Sequence, residues 1–348
     1  MAGTWEKQDK ILPSLYVNFK TNAPLSITVG DRGTAVILIK DDNFVMDVNG
    51  GVFTADEFLN NVVTPVIATP ELYEWMVKQA KANAKEVKVG AFKDMGTNGL
   101  RDVLDELALT DVDTIAVTFE DNGTDYMEIE EWLRVQNEEE GRNIVAVFGA
   151  GEFNSEYIIN IGNAVYFDGE HYSKLNMTAW VAGATASAGV ATSLTGKKVV
   201  GANDCERLTK SAQEEAVTAG YFIFKVDKAG NVTCVYDINT LTEITPEKGK
   251  QFRKNRFVRL IGSIRQDINT VFESNFMGKI NNNETGRALF KSALVDYFKE
   301  LERMGAIENF TPEDIVIRRG EDNDAVIVDV AIKSVDAVEK VYMTVVLS

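Results

Sequence analysis

EVKVGAFKDMGTNGLRDVLDELALTDVDTIAVTFEDNGTDYMEIEEWLRVQNEEEGRNIVAVF, residues 86–148, switches back and forth between two kinds of segment. Glu86–Phe92, Val112–Glu120 and Asn143–Phe148 are short apolar runs of strand length. Between them, Gly99–Leu109 and Tyr126–Glu138 read as helices. Upstream, Thr34–Lys40 (TAVILIK) reads as a buried strand, and Glu71–Asn83 as a helix with Pro70 just before its first turn. Strands alternating with helices build a parallel or mixed sheet with covering helices. The expected class is therefore mixed α/β (α+β).

Downstream the pattern loosens. Tyr157–Phe167 reads as a strand, and Ala179–Ala191 (AWVAGATASAGVA) as a tightly packed small-residue helix. Cys205–Ala219 reads as a helix that Gly220 ends. Tyr221–Val226 and Val232–Tyr236 read as a hairpin turning at Ala229-Gly230-Asn231. From 249 to 275, Phe257, Ile261, Ile264, Ile268 and Val271/Phe272 recur at steps of four and three, one apolar helical face. A second helix covers Glu284–Met304, with Gly305 as its C-cap, and strands follow at Ile315–Arg318, Ala325–Ile332 and Val338–Leu347. No internal repeat or low-complexity tract stands out.

Both ends carry apolar strands. Leu15, Val17 and Phe19 alternate with Tyr16, Asn18 and Lys20 behind a polar leader and Pro13. The stretch 337–348, AVEKVYMTVVLS, carries apolar residues to its penultimate position. Such a strand needs a sheet edge, its own or that of another copy.

A chain of 348 residues with 45% hydrophobic and 26% charged residues suits two or three domains with sizeable cores. No apolar stretch approaches membrane-spanning length, and MAGTWEKQDK is no secretory signal. Cys205 and Cys234 form no paired motif, which fits a reduced compartment. A net charge of −17 opposes nonspecific binding to nucleic acid or anionic membrane. Residues 248–265 depart from it, with Lys248, Lys250, Arg253, Lys254, Arg256, Arg259 and Arg265 and no acid. Such a stretch is either a solvated helix face or a patch for an acidic partner.

Signs of catalysis are few. His171 is the only histidine and has no nucleophile elbow beside it. Gly149-Ala150-Gly151 follows a strand as a dinucleotide loop does, but Asn154 takes the third glycine position. Gly196-Lys197 lacks the remainder of a phosphate loop, with Lys198 and Ala191 at its other key positions. Asp41-Asp42 and Glu138–Glu140 suit solvated loops or helix ends. The expectation is no enzyme, no cofactor and no metal. The alternative is a soluble α/β enzyme acting on a small acidic or phosphorylated ligand near 149–151.

The C-terminal block carries a resemblance. DINTLT (Asp237–Thr242), NRFVRLIGSIRQD (Asn255–Asp267), FMGKINNN (Phe276–Asn283) with Arg287, and YFKELERMGAI (Tyr297–Ile307) occur in order before the closing strands. AWVAGATASAGVATS (Ala179–Ser193) with Lys197-Lys198-Val199 precedes them, and Leu12-Pro13-Ser14, VNFK and Gly30-Asp31-Arg32-Gly33 stand at the front. In this combination the chain resembles the contractile tail sheath proteins of bacteriophages and phage-like bacteriocins. The likeness covers 12–40 and about 155–348, whereas 45–150 corresponds by position only. The small size is similar to that of simple sheaths from Gram-positive myophages, prophage tails and R-type bacteriocins.

The resemblance implies an arm at 1–22, an outer and intermediate α/β region at 23–240, an inner core domain at 241–336 and an arm strand at 337–348. It implies homo-hexameric rings stacked helically around a tail tube, with baseplate and tail terminator proteins as further partners. Neither nucleic acid nor membrane insertion is expected. Contraction would drive the tube through a bacterial envelope, and the particle, a virion tail or phage-like device, would assemble in the bacterial host cytoplasm. Leu15, Val17, Phe19, Val341, Tyr342, Val345 and Leu347 become inter-subunit strand residues. Lys250, Arg253, Lys254, Arg256 and Arg259 become candidates to face the tube.

Overall fold

The computed structural model describes residues 33–44, 50–62, 70–93, 99–121, 124–340 and 342–344. Its strands are β1 (Thr34–Lys40), β2 (Gly50–Thr54), β3 (Glu86–Phe92), β4 (Thr114–Val117), β5 (Val145–Phe148), β6 (Ile158–Ile161), β7 (Val165–Phe167), β8 (Glu170–Tyr172), β9 (Ala202–Cys205), β10 (Tyr221–Phe222), β11 (Phe224–Val226), β12 (Val232–Cys234), β13 (Ile315–Arg319) and β14 (Val326–Val330). The helices are α1 (Ala55–Glu57), α2 (Pro70–Lys81), α3 (Gly99–Ala108), α4 (Asp125–Arg134), α5 (Lys174–Ala186), α6 (Lys210–Thr218), α7 (Asn255–Val271) and α8 (Glu284–Arg303).

The main sheet has the order β10-β6-β5-β4-β1-β3-β2. Its pairings are parallel except at the edge, where β2 runs antiparallel to β3. Side chains alternate across β1: Ile37 and Ile39 join one core with Met76, Val77 and Ala80 of α2 and Trp180 of α5, while Val36 and Leu38 join another with α3 and α4. With both faces covered, the strands become continuous apolar runs, which is why TAVILIK lacks polar alternation. The small residues of α5 let it approach α2 closely. A Cβ at Gly183 would stand 2.6 Å from the carbonyl oxygen of Ala80.

Four elements of the α/β part differ from the sequence expectation. The hairpin strand expected at 221–226 is two, because β10 pairs with β6 in the main sheet and only β11 pairs with β12. The single strand expected at 157–167 is two, because Asn163 intervenes. Its buried side chain accepts from Phe224 N at 2.8 Å and donates to Phe224 O at 2.9 Å, replacing ladder bonds as the chain leaves the main sheet for β7. The 205–219 helix begins only at Lys210, where Thr209 caps it by accepting from Ala212 N, and the residues before it form β9. The small-residue helix starts earlier, at Lys174 behind a Ser173–Asn176 capping box, and stops at Ala186.

The C-terminal part is a separate core. Leu294, Tyr297, Phe298 and Leu301 of α8 pack with Leu260 of α7, Phe276, Phe310 and Ile315. The β13–β14 hairpin lays Ile317, Val328 and Val330 over this cluster.

Candidate assembly surface

Helix α7 joins the two cores, and the stripe it buries is not the apolar one. Phe257, Ile261, Ile264 and Ile268 are half-buried, whereas Arg256, Arg259, Ser263 and Asp267 are buried with Val258 and Leu260. The spacing was legible; the direction was not. Buried charges require partners, and these come from distant sequence. Asp237, 1% exposed, accepts from Arg259 Nη2 at 2.7 Å, Asn255 Nδ2 at 2.8 Å and Leu194 N at 3.0 Å. Arg259 Nη2 also donates to Thr192 O at 2.7 Å, and Asp267 accepts from Tyr297 Oη at 2.8 Å. One carboxylate therefore ties the 192–195 loop, the 237–241 segment and the start of α7 together. Behind Arg259 lies a cavity of about 230 Å³ that Asn143, Thr185 and Ser263 also line, with room for ordered water.

The basic stretch disperses. Arg256 and Arg259 are not surface charges: both are buried, and Arg256 donates to Gly305 O past the end of α8 at 3.1 Å. Arg253 donates to Val217 O and Thr218 O, each at 3.0 Å, closing the end of α6. Lys248 pairs with Glu156 at 2.6 Å, and Arg265 donates to Asn137 O at 2.5 Å, both spanning to the α/β part. Lys250 is exposed and, among the described residues, has no ion pair.

Lys254 meets the C-terminal segment. Its ammonium donates to Glu339, lies 3.3 Å from Asp336 Oδ2 and sits 4.0 Å from the centre of the Tyr236 ring. Burial works to lower its pKa, but the hydrogen bonds and charges of Glu339 and Tyr236 outweigh that, and the net direction is upward. Glu339 also accepts from Thr195 Oγ1 at 2.6 Å and Ser193 Oγ at 3.2 Å.

The segment reaches this point along the C-terminal core. Val335 N donates to Ala306 O and Lys333 O accepts from Glu308 N. Beyond, no strand forms among the described residues, and Val338, Tyr342 and Met343 are 89%, 92% and 80% exposed. Val341, Val345 and Leu347, like Leu15, Val17 and Phe19, lie outside the described residues. The neighbouring β13–β14 hairpin pairs with no third described strand and exposes Val316 and Ile327.

The glycines at 149 and 151 make room for packing neighbours. Open α/β sheets bind ligands beyond the strand carboxyl ends, where the order reverses. There, beside β1 and β4, Phe92, Phe119, Tyr126, Phe148 and Phe153 stack edge to face or tilted. Lys40 is tied to Asp125 at 2.9 Å. Gly149 admits the backbone of α5, since a Cβ there would meet Leu175 N at 2.6 Å. His171 is exposed on β8 beside Tyr166.

Two family models match the chain. The phage tail sheath protein central domain matches residues 94–240, and the phage tail sheath C-terminal domain matches 247–348. The chain belongs to the phage tail sheath family. The family is one of structural sheath proteins. This sheath chain is similar to the tail sheath protein of Clostridium phage phiCD119, 28% identical over 229 residues, which cover 66% of this chain and 63% of that one. In fold it is similar to the sheath tail protein of Desulfitobacterium hafniense, with 23% identity, a TM-score of 0.76, and 95% and 99% of the two chains covered. It is likewise similar to the helical sheath of the anti-feeding prophage in its contracted state, at 14% identity, a TM-score of 0.73, and 97% and 100% coverage. The mixed α/β class holds. The chain spans about half the length of the curated relatives it matches, from 44% to 63%. Asp237, Ser193, Thr195 and Glu339 were not singled out from sequence for any role; the signal was that Asp237, Ser193 and Glu339 fall in stretches that carried the family likeness.

Proposed function

We propose that the chain is the structural subunit of a contractile tail sheath, polymerising as stacked hexameric rings around a tail tube and contracting to drive the tube through a bacterial envelope. The observation that carries this reading, beyond family membership, is the juxtaposition of an exposed apolar segment with a hairpin whose outer edges are unpaired among the described residues. Two-stranded hairpins are marginal alone, and strand addition supplies directional backbone hydrogen bonds largely independent of sequence. Donation to the next copy is a heterologous contact, which builds rings and helices. Val341, Tyr342, Val345 and Leu347, with Leu15, Val17 and Phe19 of the other arm, are the proposed strand residues. Residues 1–22 and 337–348 then act as arms, 23–240 as the outer and intermediate region and 241–336 as the inner core.

Of the five basic residues proposed for the tube face, Lys250 is the one whose exposure leaves it available. Baseplate and tail terminator proteins are further proposed partners, in a particle assembled in the host cytoplasm. The role is non-enzymatic, in keeping with the filled crevice at the sheet's carboxyl edge.

Negative-stain microscopy of the purified protein, alone and co-expressed with its tube protein, tests the proposal. Rings or striated tubes are expected, and they should vanish on deletion of 337–348 while the truncated protein stays folded. Discrete globules under all conditions would overturn it.

A further inference from the structure

We propose that Lys254, Ser193 and Thr195 form a seat for the Glu339 carboxylate, and that this seat fixes the point and direction in which the C-terminal arm leaves the body. The inference rests on the arm reading above and assigns Lys254 to the arm rather than to the tube. Among 336–340, Glu339 is the side chain drawn in, 7% exposed between neighbours that face water. Both its oxygens are engaged, one by the Lys254 ammonium and the other by the two hydroxyls. Charge-assisted hydrogen bonds of this kind are roughly twice as strong as neutral ones.

The seat is held in place by the network beneath it. Thr195 Oγ1 accepts from Asp237 N at 3.0 Å while donating to Glu339, and Leu194 N donates to the Asp237 carboxylate. Lys254 immediately precedes α7 and is braced against Tyr236. The arm root is thus wired to the same buried Asp237–Arg259 pair that joins the two cores. An arm with a free root samples many directions, and ordering it costs backbone conformational entropy at every residue fixed. A seated root has already lost part of that freedom before a neighbour binds, which lowers the cost of strand donation.

A nitroxide at Val338→Cys tests this directly. The site is exposed, and Cys205 and Cys234 are buried, so labelling is selective. In the monomer, Glu339→Gln and Lys254→Met are each expected to raise label mobility without lowering the melting temperature by more than a few degrees. The exchanged pair Lys254→Glu with Glu339→Lys is expected to restore the slow spectrum. In unlabelled protein, each single substitution should raise the concentration needed for tube formation about tenfold. Label spectra unchanged by both single substitutions would overturn the seat. A seat that passes the label test, while a chain lacking 337–348 still polymerises normally, would instead refute the arm as the linkage, so the two failures are distinguishable.

Discussion

Replacing Asp237 by Ala removes an acceptor that three donors share inside the joint. Arg259 would keep its bond to Thr192 O but lose its counter-charge at 7% side-chain exposure. Asn255 Nδ2 and Leu194 N would lose the acceptors they have at 2.8 and 3.0 Å. Breaking a buried ion pair by removing one partner costs about 3–5 kcal/mol, and each stranded donor adds about 1–3 kcal/mol before water relaxes the site. We expect a net loss of about 4 kcal/mol, a large share of the roughly 5–15 kcal/mol that holds a domain. Urea denaturation followed by circular dichroism reads this as a midpoint lowered by more than about 1 M, given slopes of about 1–3 kcal/mol per molar. The double variant Asp237→Leu/Arg259→Met should lose less than the sum of its single substitutions, because no buried charge is left alone. An Asp237→Ala protein within about 1 kcal/mol of the parent would refute the claim that this carboxylate organises the joint.

Three further outcomes follow from particular residues. Gly183→Ala drives a Cβ to 2.6 Å from the Ala80 carbonyl oxygen and should destabilise by about 1–3 kcal/mol in thermal melts, despite the helix propensity gained. Burial pushes the Tyr126 phenol up to about 12, with the charges of Asp121, Glu120 and Asp125 adding to it. Its folded value lies above the ordinary value near 10. The contribution is therefore complete below pH 10 and lost as pH rises toward 12, and Tyr126→Phe should flatten the fall in urea midpoint between pH 10 and 12. Burial also pushes the Cys205 and Cys234 thiols up, so neither should react with a disulfide reagent at pH 8 until denaturant is added.

How much of this was legible depended on where the stabilising partners lie. β3 was read to the residue, Glu86–Phe92, because its apolar run ends at a loop on each side and both faces are covered locally. α8 was read to within one residue, with Gly305 at φ 73 marking its end as expected. The break at Asn163 was not, because only β11, 61 positions away, reveals that its side chain substitutes for backbone pairing. The same limit hid the inward face of α7. Periodicity favours the stripe of Ile261, Ile264 and Ile268, and only Asp237, Thr192 and Gly305 make the adjacent charged stripe burial-competent. A run of basic residues therefore looked like a patch when most of it is internal wiring. The family likeness was legible because its motifs fall in order, whereas the Glu339 seat joins residues 144 apart and left no local mark.

The central claim is that the exposed C-terminal segment of one copy completes the β13–β14 hairpin of another. Electron cryo-microscopy of the assembled particle measures it directly, by tracing residues 341–347 from the Glu339 seat. The account predicts continuous density that crosses to a neighbouring subunit and pairs as an added strand on its hairpin. Density that folds back onto its own hairpin, in an assembled sheath, would contradict it.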